Sequence, residues 1–316
     1  MYCEILEKIR EYDSITIFRH QRPDGDAMFS ALALHRFLSD NFPQKKIKVA
    51  GKDVYNIISR NDRISDHFII NSLAIILDTS ILNRIDDERV SLASYMIKID
   101  HHPSDDNYGD INQVEVRASA CAEILARMFL SRAFKDLILS PETCRYLYCG
   151  LISDTINFRT TNVTAETMSI ASKLIAKGDL DVSKLVEYVI DTDLDSFRKS
   201  TKIRTMTQIR DKFAYVILKE SDLKKMNMSL MEAKNNIDEL GRIKEINIWA
   251  LAIENEKKYD CSVRSKRGYV INSICKEYGG GGHINAAAVK KLDRKSLDQF
   301  FERFIALSKK KPVKQN

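Results

Sequence analysis

The stretch YMIKIDHHP, residues 95–103, decides the fold of this chain. Its mostly apolar residues run directly into Asp100, His101 and His102, and Pro103 cannot continue the hydrogen bonds of a strand. The pattern predicts a short buried strand that ends in one carboxylate and two imidazoles. Open α/β sheets place their ligand crevice at the carboxyl ends of their strands, so a site is expected there. By itself, such a triplet is equally well explained as a polar turn.

Three further apolar segments end in the same way, at residues 14–19, 73–77 and 150–153. An acid or a histidine follows each segment, and two acids follow the first one before a helical pattern begins. Four segment ends therefore converge on one crevice of the predicted sheet. The side chains that they deliver are His20, Asp24, Asp26, Asp78, Asp100, His101, His102 and Asp154.

Length and composition limit the classes of protein to consider. A chain of 316 residues with 44% hydrophobic content is long enough for two domains with separate cores. It contains no run of eighteen apolar residues and no apolar leader at its start, so we expect a cytoplasmic protein that does not enter a membrane. The formal charge of +6 suits a polyanionic substrate, although so small an excess does not establish one.

Strand patterns alternate with helical patterns up to about residue 180. This alternation predicts an α/β fold with a mostly parallel sheet and helices on both faces. We expect a catalytic, metal-binding domain over 1–185, a helical connector over 186–211 and a smaller α/β substrate-binding domain over 212–316. In the first domain, helices are predicted at 27–42, 121–134, 141–152 and 165–177; in the second, strands at 213–218, 246–253 and 258–264 and helices at 231–240 and 270–278.

The ligand types indicate the chemistry of the crevice. Aspartate and histidine without cysteine suit Mn²⁺ first, with Mg²⁺ or Co²⁺ as alternatives. The cluster has more ligands than one ion needs, and a carboxylate such as Asp78 can bridge two ions. Paired ions clamp both oxygens of an in-line phosphoryl displacement and lower the pKa of a bridging water. The residues therefore point to hydrolysis of a phosphoester.

Six sequence motifs resemble one family. HQRPDGDA at 20–27, DT at 78–79, DHH at 100–102 and SDT at 153–155 resemble the four motifs of the DHH phosphoesterase superfamily. RSK at 264–266 and GGGGHINAA at 279–287 resemble the DHH-associated substrate-binding domain. The chain looks most like the bacterial nano-RNase and pAp phosphatase branch. This branch degrades short oligoribonucleotides to 5′-mononucleotides and converts 3′-phosphoadenosine 5′-phosphate (pAp) to AMP.

The resemblance implies a role for each residue of the crevice. Asp78 would bridge two ions, Asp100 would orient an imidazole, and His102 would donate to the scissile phosphate or the leaving oxygen. The other ligands would form two sets: His20 and Asp24 on one ion, and Asp26, His101 and Asp154 on the other.

The resemblance also implies a substrate site in the second domain, with a cleft between the two domains. Gly280, Gly281 and Gly282 would let backbone N–H groups approach a phosphate closely. Arg264 would bind phosphate through two N–H groups, and His283 would stack on a base or donate to phosphate.

The sequence does not decide the roles of two positions. Arg159 either contacts substrate or belongs to a solvated loop before the helix at 165–177. Ala288 stands where the family commonly has glycine, which affects the fine shape of the pocket. A homodimer is possible by resemblance.

Other functions remain to be weighed against the nuclease. The serious alternative is a phosphodiesterase of linear pApA or cyclic di-AMP. A non-catalytic nucleotide-binding protein is an alternative of another class, but it predicts missing ligands. RecJ-type exonucleases, membrane-bound cyclic-dinucleotide phosphodiesterases and family II pyrophosphatases fit less well, because they carry modules or a C-terminal domain that this sequence does not resemble.

Overall fold

The computed structural model of the protein describes residues 1–53, 60–103 and 106–312. The chain divides into two compact units, Met1–Asp191 and Thr192–Asn316. This division falls inside the segment 186–211 that the sequence predicts as a connector. Each unit has its own sheet and its own hydrophobic core. No helix among the described residues is long and apolar enough to cross a bilayer.

The first unit consists of alternating helices and strands, joined in places by short 3₁₀ turns. In chain order they are α1 (Tyr2–Glu11), β1 (Ser14–Phe18), α2 (Gly25–Asn41), β2 (Lys46–Val49), α3 (Asp66–Ile70), β3 (Leu73–Leu77), β4 (Tyr95–Asp100), β5 (Ile111–Val114), α4 (Cys121–Phe129), α5 (Pro141–Asp154), α6 (Ala165–Gly178) and α7 (Val182–Ile190).

The sheet of the first unit has the strand order β2-β1-β3-β4-β5, and every pair is parallel. The predicted parallel sheet is thus confirmed. The chain winds outward in both directions from β1, so the carboxyl ends of β1 and β3 form the switch point at which such sheets bind ligands. The residues after β1, β3 and β4 therefore share one edge of the sheet.

Helices cover both faces of this sheet, as predicted, but unequally. Side chains alternate along β4, so Ile97 and Ile99 face a large core formed with α1, α2, α4 and α5. Met96 faces a smaller core that includes Ile69 of α3. The central strands are buried on both sides, which explains why they appear in the sequence as continuous apolar runs.

Three elements of the first unit were not predicted, and one prediction was wrong. The helices α1 and α3 and the strand β5 have no counterpart in the sequence analysis, and β5 has only four residues, of which Asn112 and Gln113 are polar. The apolar run at 150–153 lies inside α5, so Asp154 ends a helix and does not follow a strand. The predicted N-cap of α6 is confirmed, because the Thr164 hydroxyl accepts from the Thr167 N–H.

The second unit is an α/β unit, as predicted, with a mixed sheet and helices on both of its faces. Its elements are α8 (Leu194–Thr205), β6 (Gln208–Arg210), β7 (Phe213–Leu218), α9 (Glu220–Met226), α10 (Leu230–Lys234), α11 (Ile237–Leu240), β8 (Ile248–Asn255), β9 (Lys258–Ser265), α12 (Asn272–Glu277), β10 (Gly281–Gly282), β11 (Ala286–Leu292) and α13 (Arg294–Ser308).

The sheet of the second unit has the strand order β10-β11-β9-β8-β7-β6. Among these six strands, β7 and β8 pair in parallel, and the other neighbouring strands pair antiparallel. One face packs on α12 and α13, and the other packs on α8 to α11. The sequence analysis predicted β7, β8, β9 and α12 but missed β11 and α13, and the helix predicted at 231–240 is divided into α10 and α11.

Candidate metal centre

His20 and His101 each have one ring nitrogen placed against a backbone carbonyl. His20 Nδ1 lies 2.8 Å from the carbonyl oxygen of Gln21, and His101 Nδ1 lies 3.3 Å from that of Ala118. Because a carbonyl oxygen only accepts, both Nδ1 atoms carry the hydrogen. The other nitrogen, Nε2, then offers a lone pair in the neutral ring. This is the usual arrangement of a histidine that binds a metal.

Asp78 is the carboxylate that both histidines face. Its Oδ2 lies 3.5 Å from His20 Nε2, and its Oδ1 lies 3.3 Å from His101 Nε2. The side chain is only 1% exposed, and Oδ1 has no hydrogen-bond partner among the described residues. A buried carboxylate oxygen without a donor is unfavourable, and a cation at this position would satisfy it. The donor set and this oxygen together fit a metal ion.

The backbone of Asp78 is also unusual. Its φ of +53° lies in the left-handed region, which a residue with a side chain adopts only when its surroundings enforce it. The Asp78 N–H donates to the carbonyl of Ile99 on β4 over 3.0 Å. The strand end is therefore held against its neighbour while the carboxylate turns into the site.

Asp26 reaches from α2 to the N-terminus of α4. Its Oδ2 accepts from the N–H of Cys121 over 2.5 Å, and its Oδ1 accepts from the N–H of Ala122 over 3.0 Å and from the Ser30 hydroxyl over 3.1 Å. The first N–H groups of a helix have no partner inside it, and Ala120 at the N-cap offers no side-chain acceptor. Asp26 takes the place of that acceptor, so its carboxylate is fixed.

Asp154 approaches His101 from the C-terminal end of α5. Its Oδ2 lies 3.7 Å from His101 Nε2. One turn earlier, a Cβ on Gly150 would lie 2.8 Å from the Cβ of Ala122 and 3.0 Å from Asp26 Oδ1. Glycine at this position lets α5 approach α2 and α4 closely, which places Asp154 beside the other ligands.

The ligand atoms of these side chains form three groups, within each of which all atoms lie no more than 4.8 Å apart. Asp78 belongs to two of the groups, and so does His101. Asp24, which caps α2 by accepting from the Ala27 N–H over 3.0 Å, joins the group around His20. The groups are His20 with Asp24 and Asp78, Asp26 with His101 and Asp154, and Asp78 with His101 and His102.

The pKa values in this cluster reflect a concentration of negative charge. Burial, followed by the charges of Asp78 and Asp154, raises the pKa of Asp26 well above its usual value. Burial also raises the pKa of Asp154 to about 7. Burial alone would raise the pKa of Asp78 too, but the neighbouring imidazoles of His101 and His20 hold it below its usual range. Four carboxylates at such close range favour divalent cations.

Asp100 and His102 lie beside this cluster. His102 Nδ1 is 2.9 Å from Asp100 Oδ1 and 3.6 Å from Asp78 Oδ1, and the His102 N–H donates to the same Asp100 oxygen over 3.2 Å. The sequence analysis missed Lys98, whose ammonium nitrogen lies 3.6 Å from the other Asp100 oxygen, Oδ2. A charged residue two positions before Asp100 in an apolar strand was the available signal, because side chains i and i+2 share one face of a strand.

Arg159 follows α5 through an uncommon turn. Ile156, Asn157 and Phe158 all have positive φ, at 48°, 54° and 62°. Thr155 holds the turn, since its hydroxyl accepts from the Phe158 N–H over 3.0 Å and its carbonyl accepts from the Arg159 N–H over 2.7 Å. Arg159 itself is exposed on this turn. Nothing in the sequence pattern indicated the left-handed run.

In the second unit, the predicted glycines form a tight turn against β11. A Cβ on Gly280 would lie 2.2 Å from the carbonyl oxygen of Ala288, and one on Gly282 would lie 2.5 Å from that of Ala286. Gly282 also has a φ of +132°. In contrast, a Cβ on Gly281 would have no heavy atom within 4 Å. Two of these glycines are thus required by the fold, and Gly281 faces open space.

Arg264 and His283 lie near this turn. Arg264 on β9 is paired with Ala286 on β11, and the His283 N–H donates to the Ala286 carbonyl over 2.8 Å. Ala288, two residues beyond Ala286, lies on the same face of the sheet as Arg264 and is exposed. Its methyl group therefore projects from the face that carries Arg264 and does not enter the core.

Comparison with known proteins adds family relationships to this geometry. The DHH family, N-terminal domain, matches residues 14–151, and the DHHA1 domain matches residues 210–310. A "probable bifunctional oligoribonuclease and PAP phosphatase NrnA" from Streptococcus mutans is 34% identical over 96% of this chain and 98% of its own length. A bifunctional oligoribonuclease and PAP phosphatase NrnA from Bacillus subtilis is 30% identical, with 90% and 91% covered.

A solved structure has a similar fold over nearly the whole chain. The crystal structure of an exopolyphosphatase-related protein from Bacteroides fragilis superposes with a TM-score of 0.85 over 98% of both chains, at 23% identity.

The fold and the site define a protein of two α/β units with an acidic, histidine-rich centre suited to divalent cations. The chain belongs to the DHH family of phosphoesterases, with a DHHA1 domain as its second unit. The family predicted from the motifs is therefore confirmed.

Proposed function

We propose that this protein hydrolyses short oligoribonucleotides to 5′-mononucleotides and converts pAp to AMP. Both reactions replace a phosphoester bond by attack of water on phosphorus, so one centre can perform them. The relatives in S. mutans and B. subtilis are named after both activities, and they match this chain over at least nine tenths of its length.

One observation carries the proposal. The buried Asp78 carboxylate is shared between a group with His20 and a group with His101, and its Oδ1 has no hydrogen-bond donor among the described residues. Such a carboxylate is suited to bridging two cations. When bound, paired divalent cations supply a water nucleophile at neutral pH and neutralise charge on the phosphoryl oxygens.

The side chains around Asp78 would divide into two sets of ligands. His20 and Asp24 would hold one cation, and Asp26, His101 and Asp154 the other, with Asp78 common to both. The N–H groups of α4 would keep the Asp26 carboxylate fixed whether or not a cation is bound. We propose Mn²⁺ as the ion, with Mg²⁺ or Co²⁺ as substitutes, because the groups offer only carboxylate oxygens and imidazole nitrogens.

His102 would act on the phosphate itself. The Asp100 carboxylate accepts from its Nδ1–H, so Nε2 is the ring nitrogen that would face substrate. In this role, His102 acts as an imidazolium with a hydrogen on each ring nitrogen, and Nε2–H donates to the scissile phosphate or to the leaving oxygen. Asp100 contacts the imidazole and positions it.

The second unit would bind the rest of the substrate. Arg264 would pair with a phosphate, the open side of Gly281 would admit a phosphate or ribose to the backbone, and His283 would contact a base or phosphate. Arg159 would contribute from the first unit. The predicted homodimer and the cytoplasmic location rest on the sequence alone and stay predictions.

Product analysis with Mn²⁺ tests the proposal. The purified protein is offered pAp, a 5′-labelled RNA trimer, linear pApA and cyclic di-AMP in parallel, and products are separated by ion-pair chromatography. We expect AMP from pAp and mononucleotides from the trimer. The variant Asp78→Asn should be inactive on both, whereas Glu11→Gln, an exposed acid on α1, should match the wild type.

The remaining outcomes discriminate between the alternatives. Turnover restricted to pApA or cyclic di-AMP would replace the nuclease by a second-messenger phosphodiesterase. Tight Mn²⁺ binding without turnover of any of the four would favour a nucleotide-binding protein.

A further inference from the structure

Lys98 is a fully buried charge in the middle of β4. Its side chain is 0% exposed, between the apolar residues Ile97 and Ile99. Burying an ammonium group is unfavourable unless it is paired and hydrogen-bonded. Lys98 lies two residues before the DHH motif. Neither the predicted ligand sets nor the proposed substrate contacts include it.

Two backbone carbonyls and one aromatic ring fix the position of the ammonium group. Lys98 Nζ donates to the carbonyl of Ser80 over 2.7 Å and to that of Asp106 over 3.0 Å. It also lies 4.8 Å from the ring centroid of Tyr108, whose hydroxyl donates to the Thr79 carbonyl over 2.7 Å. The segments that follow β3 and β4 thus converge on one nitrogen.

Besides the two carbonyls, the ammonium group faces the carboxylate of Asp100. Lys98 Nζ lies 3.6 Å from Asp100 Oδ2, an oxygen with no hydrogen-bond partner among the described residues. The opposite oxygen, Oδ1, lies 2.9 Å from His102 Nδ1 and also accepts from the His102 N–H. One buried carboxylate is therefore held between a cation on one side and the imidazole of His102 on the other.

From this geometry we infer that Lys98 is a positioning residue for phosphoester hydrolysis, which orients His102 through Asp100. The inference rests on the proposed function only for the role of His102. Lys98 does not touch substrate. Its carbonyl contacts fix the ammonium group, the ammonium group fixes the rotation of the Asp100 carboxylate, and the carboxylate fixes the plane of the imidazole. Loss of an outer partner of this kind typically lowers activity by about 10- to 100-fold.

The substitution Lys98→Met tests the inference, because methionine has a similar length and no charge. We expect kcat on pAp with Mn²⁺ to fall by about 10- to 100-fold, with KM changed by less than about 3-fold, since orientation of His102 matters in the transition state. The matched control is Lys46→Met, an exposed lysine on β2 of the same sheet. It should retain wild-type kcat.

A double substitution separates positioning from a general loss of structure. In an Asp100→Asn background the charge that faces Lys98 is absent, so Lys98→Met should lower kcat further by less than about 3-fold. If the full 10- to 100-fold loss is repeated in that background, Lys98 does not act through Asp100 and the inference is overturned.

A spectroscopic measurement keeps the inference independent of the substrate. In Mg²⁺-loaded protein labelled with ¹⁵N-histidine, the Nδ1 and Nε2 resonances of His102, assigned by their loss in His102→Asn, should shift in Lys98→Met and not in Lys46→Met. A shift without any phosphoesterase activity of the wild type would refute the proposed function and leave the positioning by Lys98 standing. Unchanged resonances with unchanged kcat would refute the positioning.

Discussion

The edge of the first sheet and the glycine turn of the second unit hold their site residues by different means. At the edge, the Asp78 carboxylate is 1% exposed and surrounded by charged or polar side chains. At the turn, Gly281 has open space where a side chain would be, and its neighbours Gly280 and Gly282 are pressed against β11. Charge organises the first region, and the shape of the backbone organises the second.

This difference predicts which substitutions each region tolerates. A change of charge that preserves volume should disable the edge while the fold persists, because the cluster is held by electrostatic contacts. A single added methyl group should disable the turn through sterics, and its position should matter more than its polarity.

The largest effect is expected from Asp78→Asn. The amide preserves volume but cannot bridge two cations, so kcat/KM on pAp should fall by more than about 100-fold, beyond the loss typical of an outer partner. A saturating Mn²⁺ concentration of about 100 Kd stabilises a protein by about 2.7 kcal/mol, which raises the Tm of a unit of this size by about 5–10 °C. Calorimetry with Mn²⁺ and with EDTA should show this rise in the wild type and not in Asp78→Asn.

Glu11→Gln serves as the control, and it should keep both the activity and the Mn²⁺-dependent rise in Tm. A wild-type rise that survives in Asp78→Asn would contradict the shared-ligand interpretation of Asp78.

A smaller effect is expected from alanine at two adjacent positions of the turn. Gly282→Ala places a Cβ 2.5 Å from the Ala286 carbonyl at a φ of +132° and should destabilise the second unit by about 1–3 kcal/mol. Gly281→Ala meets no atom within 4 Å and should change stability by less than about 1 kcal/mol. Trp249, the single tryptophan of the chain, lies on β8, so its fluorescence in a urea titration reports this unit.

The two alanine variants also test whether substrate approaches Gly281. If substrate approaches the open side of Gly281, Gly281→Ala should raise KM for pAp while the urea midpoint stays unchanged. Equal destabilisation by the two alanines would remove the distinction between a glycine needed by the fold and a glycine available to a ligand.

The last effect concerns the pH dependence of the metal-free protein. Burial raises the pKa of Asp154 from 3.8 to about 7, so between these values the folded protein keeps a proton that the unfolded chain has lost. Asp154 therefore makes the folded state less stable as pH rises from about 4 to about 7. The amide in the variant Asp154→Asn carries no charge at any of these pH values. In EDTA, the stability advantage of this variant over the wild type should therefore grow across this window and level off above it.

Urea titrations followed by far-UV circular dichroism at a series of pH values measure this advantage. With saturating Mn²⁺ the order should reverse above pH 7, since the ionised carboxylate then has a cation partner. An advantage that is constant from pH 4 to pH 8 would contradict the raised pKa.

The sequence by itself determined the fold class, the family and the identity of the clustered side chains. The central strands are apolar on both faces, so they appear as runs such as 73–77, and each of these runs ends where a parallel sheet exposes its carboxyl edge. Short or partly polar elements were harder to predict. In β5, Ile111 and Gln113 are buried, whereas Asn112 and Val114 are half-exposed. A pattern of four residues is too short to distinguish a strand from a loop.

Tertiary structure alone decided how the site is held. Asp26 accepts from the N–H groups of Cys121 and Ala122, which are 95 and 96 residues away in the sequence. The left-handed backbone of Asp78 and the hydrogen bond from Lys98 Nζ to the Ser80 carbonyl arise only when β3 and β4 lie side by side. A local pattern records which side chains are polar and on which face of a strand they lie. Their partners depend on chain segments brought together by folding, because hydrogen bonds and ion pairs act through distance in space and not along the sequence.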